Sequence, residues 1–559
     1  IDKVYNNRIY GDFAGGNVDI SAKEHSGEDF LFIELATAIN FSAIKEQNFM
    51  IKPEADYFGF YTSDSPSSIA NFNFENPYHS LTATPIAGGL SVAAGKNFLT
   101  KRGRELSVFS SLNYSNNYSS KEGISLNVNN SGYASKDLRM KIYDYNTNTT
   151  GILNLAYKIN KKHSLKYHFL FINSSSNATE KYEGTIIDIA DYDNGLLIRK
   201  TYTKNTVFIN QVLGKHKLFT NTDFNWGLSY NSVSSDVPDR MQNTFRMENG
   251  EYLFGQNQIT DNHRYYHYLV EDELAANALL SYTFNKEKEN DYKIKLSLGG
   301  TSKYKVRSFN ATQFNFRIHT DQRNTVVDPN NLSLFLNQEN LDKGNYFRIE
   351  TFRGSAQVPN ALDPQYYGGT QIIHAIYLTT EYKISPKFTA LIGLRGEFVY
   401  QLVEWNTQLD PTDREEAFEI IGLLPNITTK YEINDKQNLR FAASKTYTLP
   451  QFKERVLFIY EEVTQVKLGN PDLKPSENYN VDLKWELFPK TGEIVALGAF
   501  GKYIINPINE VTISSATNDI SFLNTGGWGY VYGVEFETRK KLYSKAENSL
   551  TAGFNTSYM

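Results

Sequence analysis

Apolar and polar residues alternate with a period of two along most of this chain. In residues 151–173, Leu153, Leu155 and Tyr157 alternate with Asn154, Ala156 and Lys158; past residues 160–163, Leu165, Tyr167, Phe169 and Phe171 alternate with Lys166, His168 and Leu170. In residues 223–231, Phe224, Trp226, Leu228 and Tyr230 form one set and Asn225, Gly227, Ser229 and Asn231 the other. Such a pattern makes a strand with one apolar and one wet face. It predicts seventeen strands, over residues 30–41, 86–98, 105–116, 151–159, 164–173, 203–213, 222–232, 275–284, 291–306, 372–383, 388–405, 421–433, 438–447, 478–487, 493–504, 530–540 and 548–558.

The connections alternate strictly between short and long. Short ones include residues 100–104, 160–163, 434–437 and 488–492; long ones include 42–85, 117–150, 174–202, 307–371 and 448–478. An outer-membrane barrel behaves this way, with tight periplasmic turns and long outer loops. The competing arrangement is a large soluble β-structure with its apolar faces turned inward. It would need a second layer that so many half-polar strands do not supply.

Composition sharpens the choice. Aromatics make up 14% of the chain, with 38 Tyr and 36 Phe, yet mean hydropathy is −0.47. No segment approaches the roughly 20 apolar residues of a transmembrane helix, whereas barrels hide their hydrophobicity in alternation and gather aromatics in girdles. The chain has no cysteine, which excludes disulfides, thiol nucleophiles and thiolate metal sites. A net charge of −5 without a basic block argues against nucleic acid as a partner. Residues 1–4 do not resemble a signal peptide. A sheet in lipid must close, and single-chain bacterial barrels have even strand numbers. Seventeen strands therefore lead to the expectation that further strands follow Met559.

Residues 439–487 carry a family resemblance. They contain Leu439-Arg440-Phe441, Tyr447-Thr448-Leu449-Pro450 and the loop Gly469-Asn470-Pro471-Asp472-Leu473-Lys474-Pro475; Leu424-Pro425-Asn426 precedes them, and Asn524-Thr525-Gly526 and Tyr532-Gly533-Val534-Glu535 follow. This set resembles the barrel of TonB-dependent outer-membrane receptors, with Asn470, Pro471, Leu473 and Pro475 as the signature loop. The segment Asp12-Phe13-Ala14-Gly15-Gly16-Asn17-Val18-Asp19-Ile20 resembles the last strand of that family's plug domain, with Phe13, Gly15 and Gly16 at the junction between plug and barrel. The resemblance implies an all-β transmembrane antiparallel barrel of 22 strands, about 17 of them present. It divides the chain into residues 1–23, the end of the plug, and 24–559, the barrel. It also implies residence in the bacterial outer membrane among lipid and lipopolysaccharide, and contact with the TonB complex through a preceding segment. Surface lipoprotein or other outer-membrane subunits are candidate partners. The implied cargo is a ferric chelate, glycan, peptide or vitamin. No cofactor and no catalysis are implied; the rival roles are a structural subunit of an outer-membrane complex and an open porin-like channel.

Other candidates come from the residues themselves. Phe347, Phe352, Tyr366 and Tyr367 lie in the long amide-rich connection 307–371, where aromatic platforms suit sugars or peptides; packing of loop against loop is the simpler explanation. Asp191 and Asp193, with Asn194 and Gly195, resemble half of a calcium loop without its distal glutamate. His263 and His267 have no third ligand suggested by spacing. Arg395, Glu397 and Lys484 fall on the lumenal set, where they either hold the plug by ion pairs or simply line water.

Overall fold

A computed structural model describes residues 3–17, 24–53, 56–74, 78–101, 103–128, 132–284, 292–513, 519–545 and 548–559. Val18 to Ile20 of the plug-like segment and the turn at 285–290 lie outside the described residues.

Seventeen long strands run in order: β1 (Phe30–Ile39), β2 (Ile86–Leu99), β3 (Glu105–Val128), β4 (Ala134–Asn160), β5 (His163–Ile186), β6 (Ala190–Phe219), β7 (Thr222–Glu248), β8 (His263–Phe284), β9 (Ile294–Ile318), β10 (Gln365–Ser385), β11 (Phe388–Asn406), β12 (Arg414–Asn434), β13 (Gln437–Thr448), β14 (Ser476–Leu487), β15 (Ile494–Ile505), β16 (Trp528–Lys545) and β17 (Asn548–Tyr558). Each pairs antiparallel with its neighbour in the chain. Two short strands, Glu251–Phe254 and Phe347–Glu350, extend β7 and β9 and bring the sheet to nineteen. The architecture is the transmembrane antiparallel barrel wall. Among the described residues, no helix is long and apolar enough to cross a membrane.

The two faces differ as the alternation requires. Outward positions carry exposed apolar side chains, including Leu112, Phe208, Leu228, Leu280, Leu298, Ile376, Ile392 and Leu423. The other face, toward which the N-terminal segment lies, carries Asn154, Gln401, Arg395 and Glu397, all buried. Tyr282, Tyr431, Tyr479, Trp528 and Tyr530 add exposed aromatics, as a membrane girdle does.

The strands are longer than the alternation indicates. Residues 117–150, expected as a loop, continue β3 and β4 as a hairpin in unbroken register down to Asn127–Lys136. β5, β6, β7, β8 and β9 extend likewise. Beyond the membrane the backbone ladder still pairs, but the lipid-side face no longer meets lipid, so its side chains need not be apolar. Tyr118, Tyr143, Asn177 and Thr179 there are buried under the first outer connection.

That connection is pinned by charge. Lys52 Nζ lies 3.1 Å from the Asp239 carboxylate, and Arg264 donates Nε to the same carboxylate at 3.0 Å, with all three side chains fully buried. Arg264 also lies 5.5 Å from the rings of Phe72 and Tyr78. A core of Phe72, Tyr78, Phe245, Phe314, Phe316 and Phe347 then joins the first connection to the one after β9. Burial alone would raise the Asp239 carboxyl, but Arg264 and Lys52 overcome it and hold it at about 2, in the outer extension of β7. A depressed carboxyl contributes stability above its unfolded value of about 3.9 and loses it as pH falls toward 2. Protease digestion across that range should therefore find the 40–85 connection protected at pH 5 and progressively cut below pH 4.

Candidate functional site

The site is the lumen, where the N-terminal segment lies along the wall and a strap crosses from one wall to the other. β12 stops pairing with β13 at Asn426–Ser444, which leaves the last residues of β13 with a free edge inside the barrel. Residues 11–13 add to that edge. Phe13 N donates to Tyr447 O and Tyr447 N to Gly11 O, both at 3.0 Å, a parallel bridge centred on Asp12. Leu449 N donates to Asp12 Oδ1 at 3.1 Å, and Thr446 Oγ1 donates to Phe13 O at 3.0 Å. Strand addition of this kind satisfies backbone groups that burial would otherwise strand.

Side chains on β9, β10 and β11 hold the same segment. Arg395 and Glu397 form a fully buried ion pair. Arg395 donates to Asn7 O at 3.3 Å and to Thr301 Oγ1 at 2.7 Å. Glu397 accepts from Gly11 N at 3.3 Å and from the Tyr447 hydroxyl. The Asn7 amide spans β10, donating to Leu378 O and accepting from Thr379 Oγ1, each at 2.9 Å. Lys303 and Arg395 face the Tyr10 ring at 4.5 and 5.6 Å. A buried charge pair persists only where its remaining bonding capacity is filled, and here the N-terminal segment fills it.

Gly11 is needed for the approach: a Cβ there would sit 2.3 Å from Leu424 Cδ1 and 2.6 Å from Tyr447 Cε1. Gly11→Val should detach the segment without unfolding the barrel, seen as faster trypsin cleavage at the exposed Arg8 while the β-sheet circular dichroism is unchanged.

The strap is the connection between β13 and β14. Its short helix Phe452–Arg455 and the following Val456 and Phe458 pack on lumenal Phe309, Tyr367, Val403 and Trp405. Its far end reaches the opposite wall. Val463 packs with Leu138, Tyr182 and Leu197, and the carbonyls of Val463 and Thr464 accept from Lys136 and Asn127. The strap's hairpin, Ile459–Glu461 with Val466–Leu468, joins Ile520–Asn524 and Ile508–Thr512 in a four-stranded sheet over the mouth. The loop 469–475 is tied to this roof: Leu473 is buried, Asn470 Nδ2 donates to Phe522 O at 2.9 Å, and Lys474 N donates to Asn524 Oδ1 at 2.8 Å. Pro471 and Pro475 bracket that stretch.

Below the roof, the lumenal side of β3 to β6 holds a recess of about 520 Å³ lined solely by Ser, Thr and Asn, among them Asn117, Asn146, Asn148, Ser174, Ser176 and Asn205. The β8–β11 wall is charged instead, with Glu271 paired to Lys305 at 2.8 Å and Arg307 at 2.6 Å.

The residues singled out from sequence fall in separate places. Phe13 is buried, with its ring against Tyr5 and its backbone on Tyr447. Gly15 takes a φ of +136°, which suits glycine, and Gly16 is exposed. Phe347 is fully buried in the loop core outside the wall, Phe352 sits half-buried in a turn, and Tyr367 stacks on Phe309 at 4.7 Å in the lumen. Tyr366, one residue earlier on the same strand, turns to the other face and donates its hydroxyl to Glu404. The four rings share no platform. Asp193 pairs with Arg139 at 3.1 Å, and Asp191 accepts from Asp188 N at 2.9 Å. His263 is hydrogen-bonded to Thr260 O at 2.6 Å. Among the described residues, no group of three or more His, Asp or Glu is placed to hold a metal ion. Lys484 lies 3.3 Å from Glu486 on the wall. The free edge of β13 and the span of the strap depend on contacts between residues hundreds of positions apart, which no local pattern reports.

A family model described as TonB dependent receptor-like, beta-barrel, matches residues 255–558. No curated protein sequence matches the chain. Among solved structures, the RagAB peptide importer in its closed-closed state aligns over 96% of this chain and 61% of its own, at 10% identity and a TM-score of 0.51. The siderophore receptor PiuA from Acinetobacter baumannii aligns over 85% and 62%, at 10% identity and a TM-score of 0.49. The chain thus spans about three fifths of the length of the solved structures it resembles. At these identities the likeness is one of fold.

Proposed function

The chain belongs to the TonB-dependent receptor β-barrel family, and on that premise we propose that it binds a nutrient in the outer half of its lumen and imports it when force on the N-terminal segment clears the passage. The family places it in the outer membrane; the binding, the energised import and the cargo are the parts proposed.

The observation that carries the reading is the docking of residues 7–13 on Arg395, Glu397 and the free edge of β13. A segment held by a few backbone bonds and one buried ion pair transmits a pull to the wall and yields before the barrel does, because the long wall strands are joined by far more backbone bonds. A porin-like channel has no use for such a segment, nor for a strap that ties one wall to the other across the mouth. TonB is the partner that would supply the force, and a surface lipoprotein over the strap is proposed as a second.

The neutral recess narrows the cargo. Hydroxyls and amides donate and accept without charge, so they match the hydroxyls of a glycan or the amides of a peptide. An anionic ferric chelate calls for Arg or Lys, and the recess lining has neither. Growth of a strain lacking this protein on single nutrient sources tests both levels. A defect confined to neutral oligosaccharides or peptides is expected. A defect confined to ferric chelates would overturn the cargo reading and keep the receptor; no defect on any source would favour the structural-subunit role.

A further inference from the structure

The turn formed by residues 56–60 is built inside out. Its backbone is spent on the wall: Tyr57 O accepts from the Tyr114 and Tyr145 hydroxyls at 2.7 and 2.6 Å, and Gly59 O accepts from Asn173 Nδ2 at 2.8 Å. The Asp56 carboxylate caps the turn, accepting from Phe60 N at 3.1 Å. Gly59, at a φ of +82°, lies so close that a Cβ would stand 2.0 Å from Thr147 Oγ1 and 2.4 Å from Ser175 Oγ. Meanwhile the Tyr57, Phe58 and Phe60 side chains are 51%, 58% and 46% exposed. A solvent-facing turn does the opposite, hiding rings and wetting its backbone.

Register shows which side of the wall this is. Leu112, Gly151, Phe171 and Phe208 face one another in one row across β3 to β6, on the lipid side. Two residues further out, on that same face, Tyr114, Thr149, Asn173 and Thr206 form the next row. Thr147 and Ser175, under Gly59, lie one row beyond. The turn therefore clasps the barrel from outside, opposite to the N-terminal segment.

Height places it in the membrane interface. From Leu106 to Tyr114 is eight residues, about 20 Å along the membrane normal at about 3.3 Å per residue and a tilt of about 40°. The apolar band of such barrels is about 25 Å tall. The rows of Asn173, Thr147 and Ser175 thus fall at its upper edge, where bare amides and hydroxyls would face lipid. The turn buries them and offers three aromatic rings in their place.

We propose that residues 56–60 form a membrane-docking element whose rings seat at the acyl and headgroup boundary of the outer leaflet, completing the aromatic belt on the β3–β6 side. The proposal rests on the outer-membrane reading above, and continuity with the lipid-facing rows commits the occupant to lipid. Aromatic rings prefer that interface.

The cysteine-free chain allows a direct test. Phe58→Cys and Phe60→Cys are each labelled with a nitroxide in the whole protein, reconstituted in phosphatidylethanolamine–phosphatidylglycerol vesicles. Collision with oxygen is compared with collision with a water-soluble nickel chelate. Leu112→Cys serves as the reference in the band, and Tyr192→Cys, at the outer end of β6 and 89% exposed, as the reference in water. Labels at 58 and 60 are expected to favour oxygen over nickel, well removed from position 192 and toward 112. If both match position 192 while 112 is shielded, the docking proposal is overturned and the membrane reading stands. If 112 is also open to nickel, the membrane reading itself fails.

Discussion

Glu397→Ala should loosen the N-terminal segment and lower the stability of the barrel by about 3–5 kcal/mol, the usual cost of leaving one partner of a buried ion pair uncompensated. Glu397 accepts from Arg395, from Gly11 N and from the Tyr447 hydroxyl, so its removal breaks wall and segment together. The double variant Arg395→Ala, Glu397→Ala removes both charges and should recover part of the loss, because no unpaired cation stays in the wall. Unfolding in denaturant with the protein in detergent measures the stabilities, and trypsin cleavage at Arg8 measures the segment. A single variant no less stable than the double would mean that the pair is wetted and holds nothing.

Asp239→Asn should produce the second large effect, on the outer side. It leaves Lys52 and Arg264 buried together without their carboxylate, at a cost again of about 3–5 kcal/mol. The loss falls on the 40–85 connection and not on the strand ladder, since β7 keeps its backbone pairing with β6 and β8. Cleavage at the exposed Lys45 should accelerate while β-sheet content holds. Lys52→Met should be milder, because Asp239 keeps Arg264. Equal effects of the two variants would show that Lys52, and not Arg264, is the ion that matters.

The wall was legible because its physics is local. Period-two alternation broken by turns such as Asn434-Asp435-Lys436 and Asn160-Lys161-Lys162 marks each strand, and among the described residues a long strand stands at each of the seventeen expected places. Their outer extensions were not legible. In residues 117–150 the Ser, Asn and Thr content reads as loop, yet Tyr118 pairs with Tyr145 in a ladder that needs no apolar face. The folding of the first connection onto the outside of the wall was hidden too, since it turns on Lys52 meeting Asp239 across 187 positions. Alternation did put Arg395 and Glu397 on the lumenal side, but not the segment that they hold. It also works against an aromatic platform built from Tyr366 and Tyr367, because adjacent residues on one strand face opposite ways.

The energised import proposed for this chain is tested most directly by comparing two strains, one lacking this protein and one lacking TonB, for uptake of the nutrient that the growth panel identifies, with an uncoupler added in parallel. The account predicts the same loss of uptake in both strains, and wild-type uptake that collapses with the proton gradient. Uptake that needs this protein but survives both the loss of TonB and the uncoupler would contradict it, and would make the barrel a passive channel.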